Sequence, residues 1–322
     1  MKFNIGIYGS NGHQIQGLLE NSQKAQLTAS SAFDADLLSK KLRQSQNIKH
    51  YGTLDEMLLD PNIDIVSLCS PVRADQADDA VKCMQNGKHV YAEKPCALRE
   101  SDLDKIIKTS EETGKKFHEM AGTTFEQPYL AMRRIVQSGA IGTVIQVVAQ
   151  KSYPYFEARP QDERIDGGLF CQAGVHAARF IEHTAGTRIK DIYSLETSLG
   201  NPKTSGDLKM ASCCMMTLEN GGVAAFVANY LNPLSFGSWG NETLRIFGDK
   251  GFVEATNGAA STRLVLNEKD MGAITSLEPS ANYFDMFLDE LDGIAKMPFC
   301  LEDELHPTRM LIRAKERGKF YV

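Results

Sequence analysis

Residues 5–14 read Ile5-Gly6-Ile7-Tyr8-Gly9-Ser10-Asn11-Gly12-His13-Gln14. The apolar run before Gly9 predicts a buried first strand, and the glycines after it predict a tight turn into a helix. A dinucleotide-binding turn follows the pattern G-x-G-x-x-G, in which the glycines let the backbone approach a pyrophosphate. Only Gly9 fits, because Asn11 and Gln14 occupy the other two positions. We expect Asn11 to adopt the left-handed backbone of the missing glycine, with clearance restored at Gly12; the alternative is an ordinary glycine-rich turn.

Strand-like and helix-like segments alternate over the first third of the chain. The continuous apolar run Ile63–Cys69 predicts a buried strand. The helical pattern of Ala74–Asn86 ends at Gly87, and a glycine after a helix favours the left-handed backbone conformation that terminates it. Regular alternation with short connections is typical of a parallel sheet with helices on both faces. We therefore predict an α/β fold that opens with a Rossmann domain over residues 1–121.

From about Gly122 the pattern changes to long strand-like runs separated by glycine turns. The predicted strands are Val144–Lys151, Ile189–Leu199, Lys209–Leu218, Gly222–Tyr230, Thr243–Gly248 and Arg263–Asn267. Helical patterns cover about Asp166 to Thr184, Tyr283–Lys296 and Pro307–Gly318. The spacing favours a large, mostly antiparallel sheet with one open face, so we predict an α+β domain over residues 122–322.

Charge and composition exclude several classes of protein. The 322 residues carry 41 acidic and 35 basic side chains, a net charge of -6, which disfavours a nucleic-acid partner. No apolar run approaches the ~20 residues of a membrane span, and the N-terminus has no signal-peptide pattern, so we expect a cytoplasmic protein without a membrane partner. Seven cysteines include no C-x-x-C pair, which favours reduced thiols. No metal-binding motif is found in the sequence, so we expect no metal site.

A second nucleotide signal lies at Asp34, which follows the second predicted strand 25 residues after Gly9. A carboxylate near this offset accepts hydrogen bonds from the adenosine ribose hydroxyls of NAD, and it would repel the 2′-phosphate of NADP. Asp34 therefore favours NAD over NADP. The alternative is an ordinary aspartate that begins the next helix.

Six stretches spread over nearly the whole chain carry a family resemblance. They are Tyr51–Val66, Ser70-Pro71, Gly87–Pro95, Gln137–Val144, Gly167–His176 and Leu244–Glu254. Together they resemble the glucose-fructose oxidoreductase, inositol dehydrogenase and rhizopine catabolism family (Gfo/Idh/MocA). The resemblance implies an NAD(P)-dependent dehydrogenase that transfers a hydride between nicotinamide and a hydroxyl or carbonyl of a sugar, cyclitol or sugar acid. It also implies that the domain over residues 122–322 binds the substrate and mediates oligomerisation into a homodimer or homotetramer.

The same resemblance assigns roles to individual residues. It implies that Lys94 lies beside the nicotinamide and donates a hydrogen bond to the substrate oxygen, and that His176 transfers the hydroxyl proton. At position 172 the family normally has aspartate; here Gln172 orients the imidazole or the substrate by hydrogen bonding. The predicted cofactor-binding residues are Gly9, Ser10, Asn11, Gly12, His13, Asp34, Ser70, Pro71, Glu93 and Lys94. The alternatives are a surface lysine before a turn proline for Lys94 and a core histidine for His176.

The segment between the first long strand and the His176 helix is the candidate for substrate recognition. Aromatic rings stack on sugar faces, and arginine forks bind hydroxyls or carboxylates. The predicted substrate-binding residues are Tyr153, Arg159, Arg164, Gln172 and His176. The alternative is a polar surface loop with packed rings.

Because position 172 and the glycine turn depart from the family pattern, two further functions stay open. One is a tightly held NAD used for transient oxidation during sugar cleavage or epimerisation. The other is a non-catalytic, nucleotide-sensing regulator.

Overall fold

The protein is described by a computed structural model that covers residues 2–45, 47–275 and 277–317. The chain divides into two compact units. The N-terminal unit comprises Met1–Met120, Arg164–Asp166 and Tyr283–His306, and the C-terminal unit comprises Ala121–Glu163, Gly167–Asn282 and Pro307–Val322. Sequence reasoning assigned the 283–306 segment to the second domain. It belongs instead to the N-terminal unit, because Phe284 and Phe287 pack there against Tyr91, with ring centroids 5.1 and 5.9 Å apart.

The N-terminal unit contains a six-stranded parallel sheet. Its strands are β1 (Phe3–Tyr8), β2 (Ala25–Ser31), β3 (Lys49–Tyr51), β4 (Ile65–Leu68), β5 (His89–Ala92) and β6 (Phe117–Glu119). They lie in the order β3-β2-β1-β4-β5-β6, and every pairing is parallel. The order reverses between β1 and β4, which is the switch point where such sheets bind ligands beyond the carboxyl ends of their strands. The predicted Rossmann-like fold is confirmed.

The helices of this part of the chain are short at its start and longer toward its end. They are α1 (Gln16–Leu19), α2 (Lys40–Ser45), α3 (Leu54–Leu58), α4 (Gln76–Gln85) and α5 (Glu100–Thr113). Thr53 and Glu56 form a capping box that begins α3, and Gly114 ends α5 with φ +68°. A 3₁₀ turn, Ala35–Leu37, precedes α2, and Gln46, which follows α2, lies outside the described residues.

The C-terminal unit contains an eight-stranded sheet. Its strands are β7 (Val144–Ser152), β8 (Ile189–Thr197), β9 (Ala211–Leu218), β10 (Val223–Asn229), β11 (Asn241–Gly248), β12 (Gly251–Thr256), β13 (Ser261–Leu266) and β14 (Lys269–Gly272). They lie in the order β14-β13-β12-β11-β7-β10-β9-β8. All neighbours are antiparallel except β7 and β10, which run parallel. The predicted mostly antiparallel sheet is confirmed.

The remaining helices are α6 (Tyr129–Gln137), α7 (Glu163–Asp166), α8 (Gly168–Arg179), α9 (Tyr283–Leu291) and α10 (Leu301–Arg317). Every residue of α8 is buried, and the helix continues into one π-helical turn, Phe180–Thr184. A Cβ atom at Gly174 would lie 3.3 Å from the Phe226 ring, so the small residue lets α8 pack closely on β10. Gly318, the predicted last residue of the final helix, lies outside the described residues. Among the helices of the described ranges, none has the length and apolar character that crossing a membrane requires.

Candidate active site

The glycine turn after β1 is held against the neighbouring turn of β4. Gly9 has φ +76°, and a Cβ atom there would lie 2.0 Å from the Cys69 carbonyl oxygen. Gly12 has φ +105°, and a Cβ atom there would lie 2.8 Å from a Glu93 carboxylate oxygen. Both positions therefore require glycine.

Asn11 does not take over the left-handed backbone of a glycine, contrary to the expectation from sequence. Gly9 and Gly12 hold the positive φ angles of this turn. The Asn11 side chain instead connects the glycine turn to the turn after β4, because its amide nitrogen donates to the carbonyl oxygens of Ser70 and Pro71, each at 3.2 Å. An amide can bridge two carbonyl acceptors in this way, and glycine cannot.

The turn after β5 completes the same group. Glu93 is fully buried, and one of its carboxylate oxygens lies 3.1 Å from His13 Nδ1 and 3.3 Å from Lys94 Nζ. Burial raises the pKa of Glu93, but Lys94, His13 and Arg73 together lower it to about 2. The carboxylate is therefore charged at neutral pH and holds the ammonium group of the buried Lys94 at the carboxyl end of the sheet.

A nicotinamide dinucleotide fits the residues at this edge of the sheet. The second carboxylate oxygen of Glu93 is buried and has no hydrogen-bond partner among the described residues. Buried polar atoms nearly always have a hydrogen-bond partner in native proteins, so this oxygen is suited to accept a hydrogen bond from a ligand hydroxyl. The glycine turn lies against the Glu93 side chain at Gly12, and Asn11 connects this turn to Ser70-Pro71.

Asp34 lies close to the glycine turn. Its backbone N–H donates to Ser10 Oγ at 3.0 Å, and one carboxylate oxygen accepts from the Asp36 N–H at 2.9 Å. The side chain is exposed, and Asp34 follows β2, which ends at Ser31. Asp34 therefore begins the 3₁₀ turn Ala35–Leu37, as the alternative interpretation held. It also contacts Ser10 of the glycine turn through its backbone N–H.

In the C-terminal unit, His176 lies on the buried helix α8. Its Nδ1 is 3.0 Å from the hydroxyl oxygen of Thr123, and the ring of Tyr153 meets its ring edge-on at 6.4 Å. The hydroxyl and the ring together restrict the rotation of the imidazole.

Gln172 lies one helical turn before His176. Its carbonyl oxygen accepts hydrogen bonds from Arg159 Nη1 and from the Tyr230 hydroxyl, both at 3.1 Å. The Arg159 guanidinium lies between two rings, 3.7 Å from the centroid of Tyr230 and 4.4 Å from that of Phe156. Two donors on the oxygen fix the orientation of the Gln172 amide, so its nitrogen is directed away from Arg159 and Tyr230.

The structure brings together four of the five predicted substrate-binding residues, Tyr153, Arg159, Gln172 and His176, in the C-terminal unit. The fifth, Arg164, lies on α7 and belongs to the N-terminal unit. Sequence reasoning missed Thr123 as a member of this group. It placed Tyr230 in a segment that borders either this pocket or a subunit contact, and the hydrogen bond to Gln172, 58 residues away in the chain, places Tyr230 in this group.

Comparisons with known protein families identify the class of protein to which the chain belongs. Residues 3–120 match the family model described as "Oxidoreductase family, NAD-binding Rossmann fold", and residues 129–254 match the "GFO/IDH/MocA C-terminal domain". The chain is thus an oxidoreductase with an NAD-binding Rossmann fold. It belongs to the GFO/IDH/MocA family, as its motifs predicted.

Individual relatives are distant. The chain is 23% identical over 254 residues to myo-inositol 2-dehydrogenase of Thermotoga maritima, covering 77% of this chain and 73% of that protein. It is 27% identical over 158 residues to trans-1,2-dihydrobenzene-1,2-diol dehydrogenase of Xenopus tropicalis, about half of each chain, at 48% and 47%. A solved structure of a putative oxidoreductase from Thermotoga maritima has the same fold, with a TM-score of 0.87 and 24% identity over 99% of this chain and 98% of that one.

Proposed function

We propose that the protein is an NAD(H)-dependent dehydrogenase that interconverts a secondary hydroxyl and a carbonyl on a sugar, cyclitol or sugar acid. The observation that carries the proposal is the buried ion pair of Lys94 with Glu93 beside the glycine turn. Membership of the oxidoreductase family supports it, as do the two relatives named as dehydrogenases of inositol and of a cyclic diol.

Lys94 is the proposed electrophilic group. A bound nicotinamide dinucleotide would supply hydride transfer to or from a carbon that bears oxygen. The Lys94 ammonium donates a hydrogen bond to that oxygen and stabilises the negative charge it gains. Glu93 holds the ammonium through a contact of 3.3 Å, and burial keeps water from screening the charge.

His176 is the proposed acid and base. Imidazole accepts and returns a proton near neutral pH, which the hydroxyl of the substrate requires. Thr123 orients the ring through Nδ1, and Gln172 orients the substrate through its amide nitrogen. Tyr153 and Arg159 contribute an aromatic face and a guanidinium for recognition of the rest of the substrate.

One observation favours transient oxidation as a second candidate. Gln172 is neutral, so it gives the His176 imidazolium no negative charge of its own. An enzyme that holds its cofactor tightly and returns the hydride to the same molecule would show no net cofactor reduction.

The experiment is a thermal-shift screen with NAD⁺ and NADP⁺, followed by a panel of polyols, sugars and sugar acids assayed at the absorbance band of reduced nicotinamide. We expect NAD⁺ to raise the melting temperature and at least one polyol or sugar to give net NADH. Turnover of a sugar with co-purified cofactor and no net NADH would support transient oxidation. If neither dinucleotide binds at millimolar concentration, both enzymatic proposals are wrong and a non-catalytic role is preferable.

We also propose that the open face of the C-terminal sheet binds a second copy of the chain. The register aligns Val148, Ala225, Met215 and Tyr193 in one row across β7, β10, β9 and β8. Met215 is 70% exposed and Tyr193 56%. So extended an apolar surface is typical of an interface, and a two-fold axis would place the same apolar rows against each other. The expected assembly is a homodimer or homotetramer.

A further inference from the structure

A fully buried guanidinium lies within the turns that form the proposed cofactor site. Arg73 follows β4, at the start of the 3₁₀ turn that leads into α4, and is 0% exposed. Its hydrogen-bond partners are neutral, the side-chain oxygen of Gln76 and the carbonyl oxygen of Asn11. Its Nε has no acceptor among the described residues. A guanidinium stays charged when buried, so an arginine in this setting calls for an anion.

The Glu93 carboxylate contacts other groups directly. One of its oxygens lies 3.3 Å from Lys94 Nζ and 3.1 Å from His13 Nδ1, whereas among the described residues no carboxylate accepts a hydrogen bond from Arg73. Two buried cations, Lys94 and Arg73, therefore lie at the turns after β1, β4 and β5, and the direct hydrogen-bond partners of Arg73 are neutral. In a chain with a net charge of -6, such local positive charge is what a dinucleotide pyrophosphate would need.

The hydrogen bond to Asn11 also sets the direction of the glycine turn. A trans peptide places its C=O and the following N–H on opposite sides. Because Arg73 draws the Asn11 carbonyl oxygen toward the buried guanidinium, the N–H of Gly12 is directed the other way. The turn thus presents a donor, rather than an acceptor, on the side away from Arg73.

Gln76 couples this arrangement to the neighbouring strands. Its side-chain oxygen, which accepts from Arg73, also accepts from the Ser70 N–H at 3.2 Å, and its nitrogen donates to the carbonyl oxygens of Glu93 and Pro95 at 2.5 and 3.2 Å. The Arg73–Gln76 pair therefore connects all three turns.

We propose that Arg73 is the buried counter-charge for the pyrophosphate of the dinucleotide and the residue that positions the Asn11–Gly12 peptide toward it. The proposal rests on the proposed NAD-dependent function. It explains how a turn that lacks the second and third glycines of the usual pattern serves a dinucleotide in an acidic protein.

Two substitutions separate charge from hydrogen bonding. Arg73→Gln retains an N–H donor for the Asn11 carbonyl and removes the charge, whereas Arg73→Lys retains the charge. Arg99→Gln is the matched control, because it removes a positive charge from the same unit at a side chain that is 65% exposed and paired with Asp102. The ligands are ADP-ribose, which has a pyrophosphate, and adenosine, which has no phosphate. Binding is measured by calorimetry on the full-length protein at several salt concentrations, after thermal unfolding has shown that each variant is folded.

We expect Arg73→Gln to weaken ADP-ribose binding by about ten-fold or more and adenosine binding by less than about two-fold. Arg73→Lys should stay within about three-fold of the wild type for both ligands and keep its salt dependence. Equal losses for ADP-ribose and adenosine, or a larger loss in the lysine than in the glutamine variant, would overturn the proposal. If Arg73→Gln does not fold, a salt dependence lost in Arg73→Lys overturns it as well. Failure of the wild type to bind ADP-ribose and NAD⁺ would instead overturn the dinucleotide function itself.

Discussion

The imidazole Nδ1 of His118 lies 2.6 Å from a carboxylate oxygen of Glu304, inside the N-terminal unit. Nε2 of the same ring lies 3.1 Å from Glu290, and the second Glu304 oxygen accepts the N–H of Glu119 at 2.9 Å. His118 lies on β6, Glu290 on α9 and Glu304 at the start of α10. These bonds therefore fasten the 283–306 segment to the parallel sheet.

This histidine should make stability depend on pH. Burial lowers the pKa of His118, but Glu304 and Glu290 raise it to about 9, above its ordinary value of 6.5. The ion pairs therefore stabilise the fold fully below pH 6.5 and lose their contribution as the pH rises through about 9. We expect this group to lower the free energy of unfolding by on the order of 2 kcal/mol between about pH 7 and about pH 9.5, as measured by urea unfolding. His118→Gln should remove that slope, and the exposed His50→Gln should keep it. An unchanged slope in His118→Gln would contradict the assignment.

Lys94→Ala tests the proposed electrophile. Loss of a buried donor at a developing oxyanion typically lowers kcat by about 10² to 10³, and we expect such a loss on a substrate found in the screen. Affinity for NAD⁺ should change far less, because the ammonium acts on the substrate oxygen. Lys108→Ala, on α5 with a side chain 74% exposed, is the control. Turnover of Lys94→Ala within about a factor of two of the wild type would show that the role is misassigned.

His176 and Thr123 should differ in the size and kind of their effects. His176→Gln should lower kcat by about 10² to 10⁴ and remove the limb of the pH–rate profile that reports the base. Thr123→Val leaves the imidazole present but without its 3.0 Å partner, so its loss should be smaller and the limb should remain, at a shifted pH. A profile of the same shape in wild type and His176→Gln would exclude His176 as the acid and base.

Asp34→Ala tests the cofactor preference. Removal of the exposed Asp34 carboxylate, next to Ser10, should weaken NAD⁺ binding by about ten-fold. It should also reduce the difference between the affinities for NAD⁺ and NADP⁺, because the repulsion of a 2′-phosphate is lost. Asp36→Ala, two residues further and 93% exposed at its side chain, is the matched control. Calorimetry with both dinucleotides measures the ratio, and equal effects of the two substitutions would place the ribose elsewhere.

Met215→Glu tests the oligomer interface. A carboxylate in the centre of the apolar row should convert the assembly to monomers at micromolar concentration, because pairing would bury like charges. The equally polar Leu59→Glu, at a side chain 77% exposed in the N-terminal unit, should leave the assembly intact. Sedimentation velocity separates the species. An unchanged oligomer in Met215→Glu would show that this face is not the contact.

Long apolar runs made the fold predictable from sequence, and short or half-exposed elements did not. β4 and the strands β7 to β10 appear near their predicted ranges because their apolar patterns are long or regular. Two three-residue strands, β3 and β6, carry too few side chains for any pattern. Helix α10 begins at Leu301 rather than at the predicted Pro307, which lies inside it. A proline is usually a sign of the first helical turn, and neighbouring packing overrides that tendency here.

Some residues of the candidate site were predictable from the sequence, and others were not. Motif residues such as Gly9, Lys94 and His176 were identifiable one by one, and their roles stay predictions. Arg73 was not, because a polar residue at the start of a helix usually faces solvent, and its burial depends on contacts with Asn11, 62 residues away. The 283–306 segment escaped for the same reason, since the pairing of His118 with Glu304 spans 186 residues. Long-range polar pairing leaves no periodic trace in a sequence.

The position of β7 has a consequence for how the chain is assembled during translation. β7 is the first strand of its sheet to be synthesised, yet both of its neighbours, β10 and β11, lie more than 70 residues further along the chain. Its central place must wait until residue 248 has left the ribosome, so the nascent chain carries an unpaired apolar strand for several seconds at about 5–20 residues per second. Chaperone capture or early aggregation of the growing polypeptide would therefore begin at β7, while the parallel sheet before it has all of its strands.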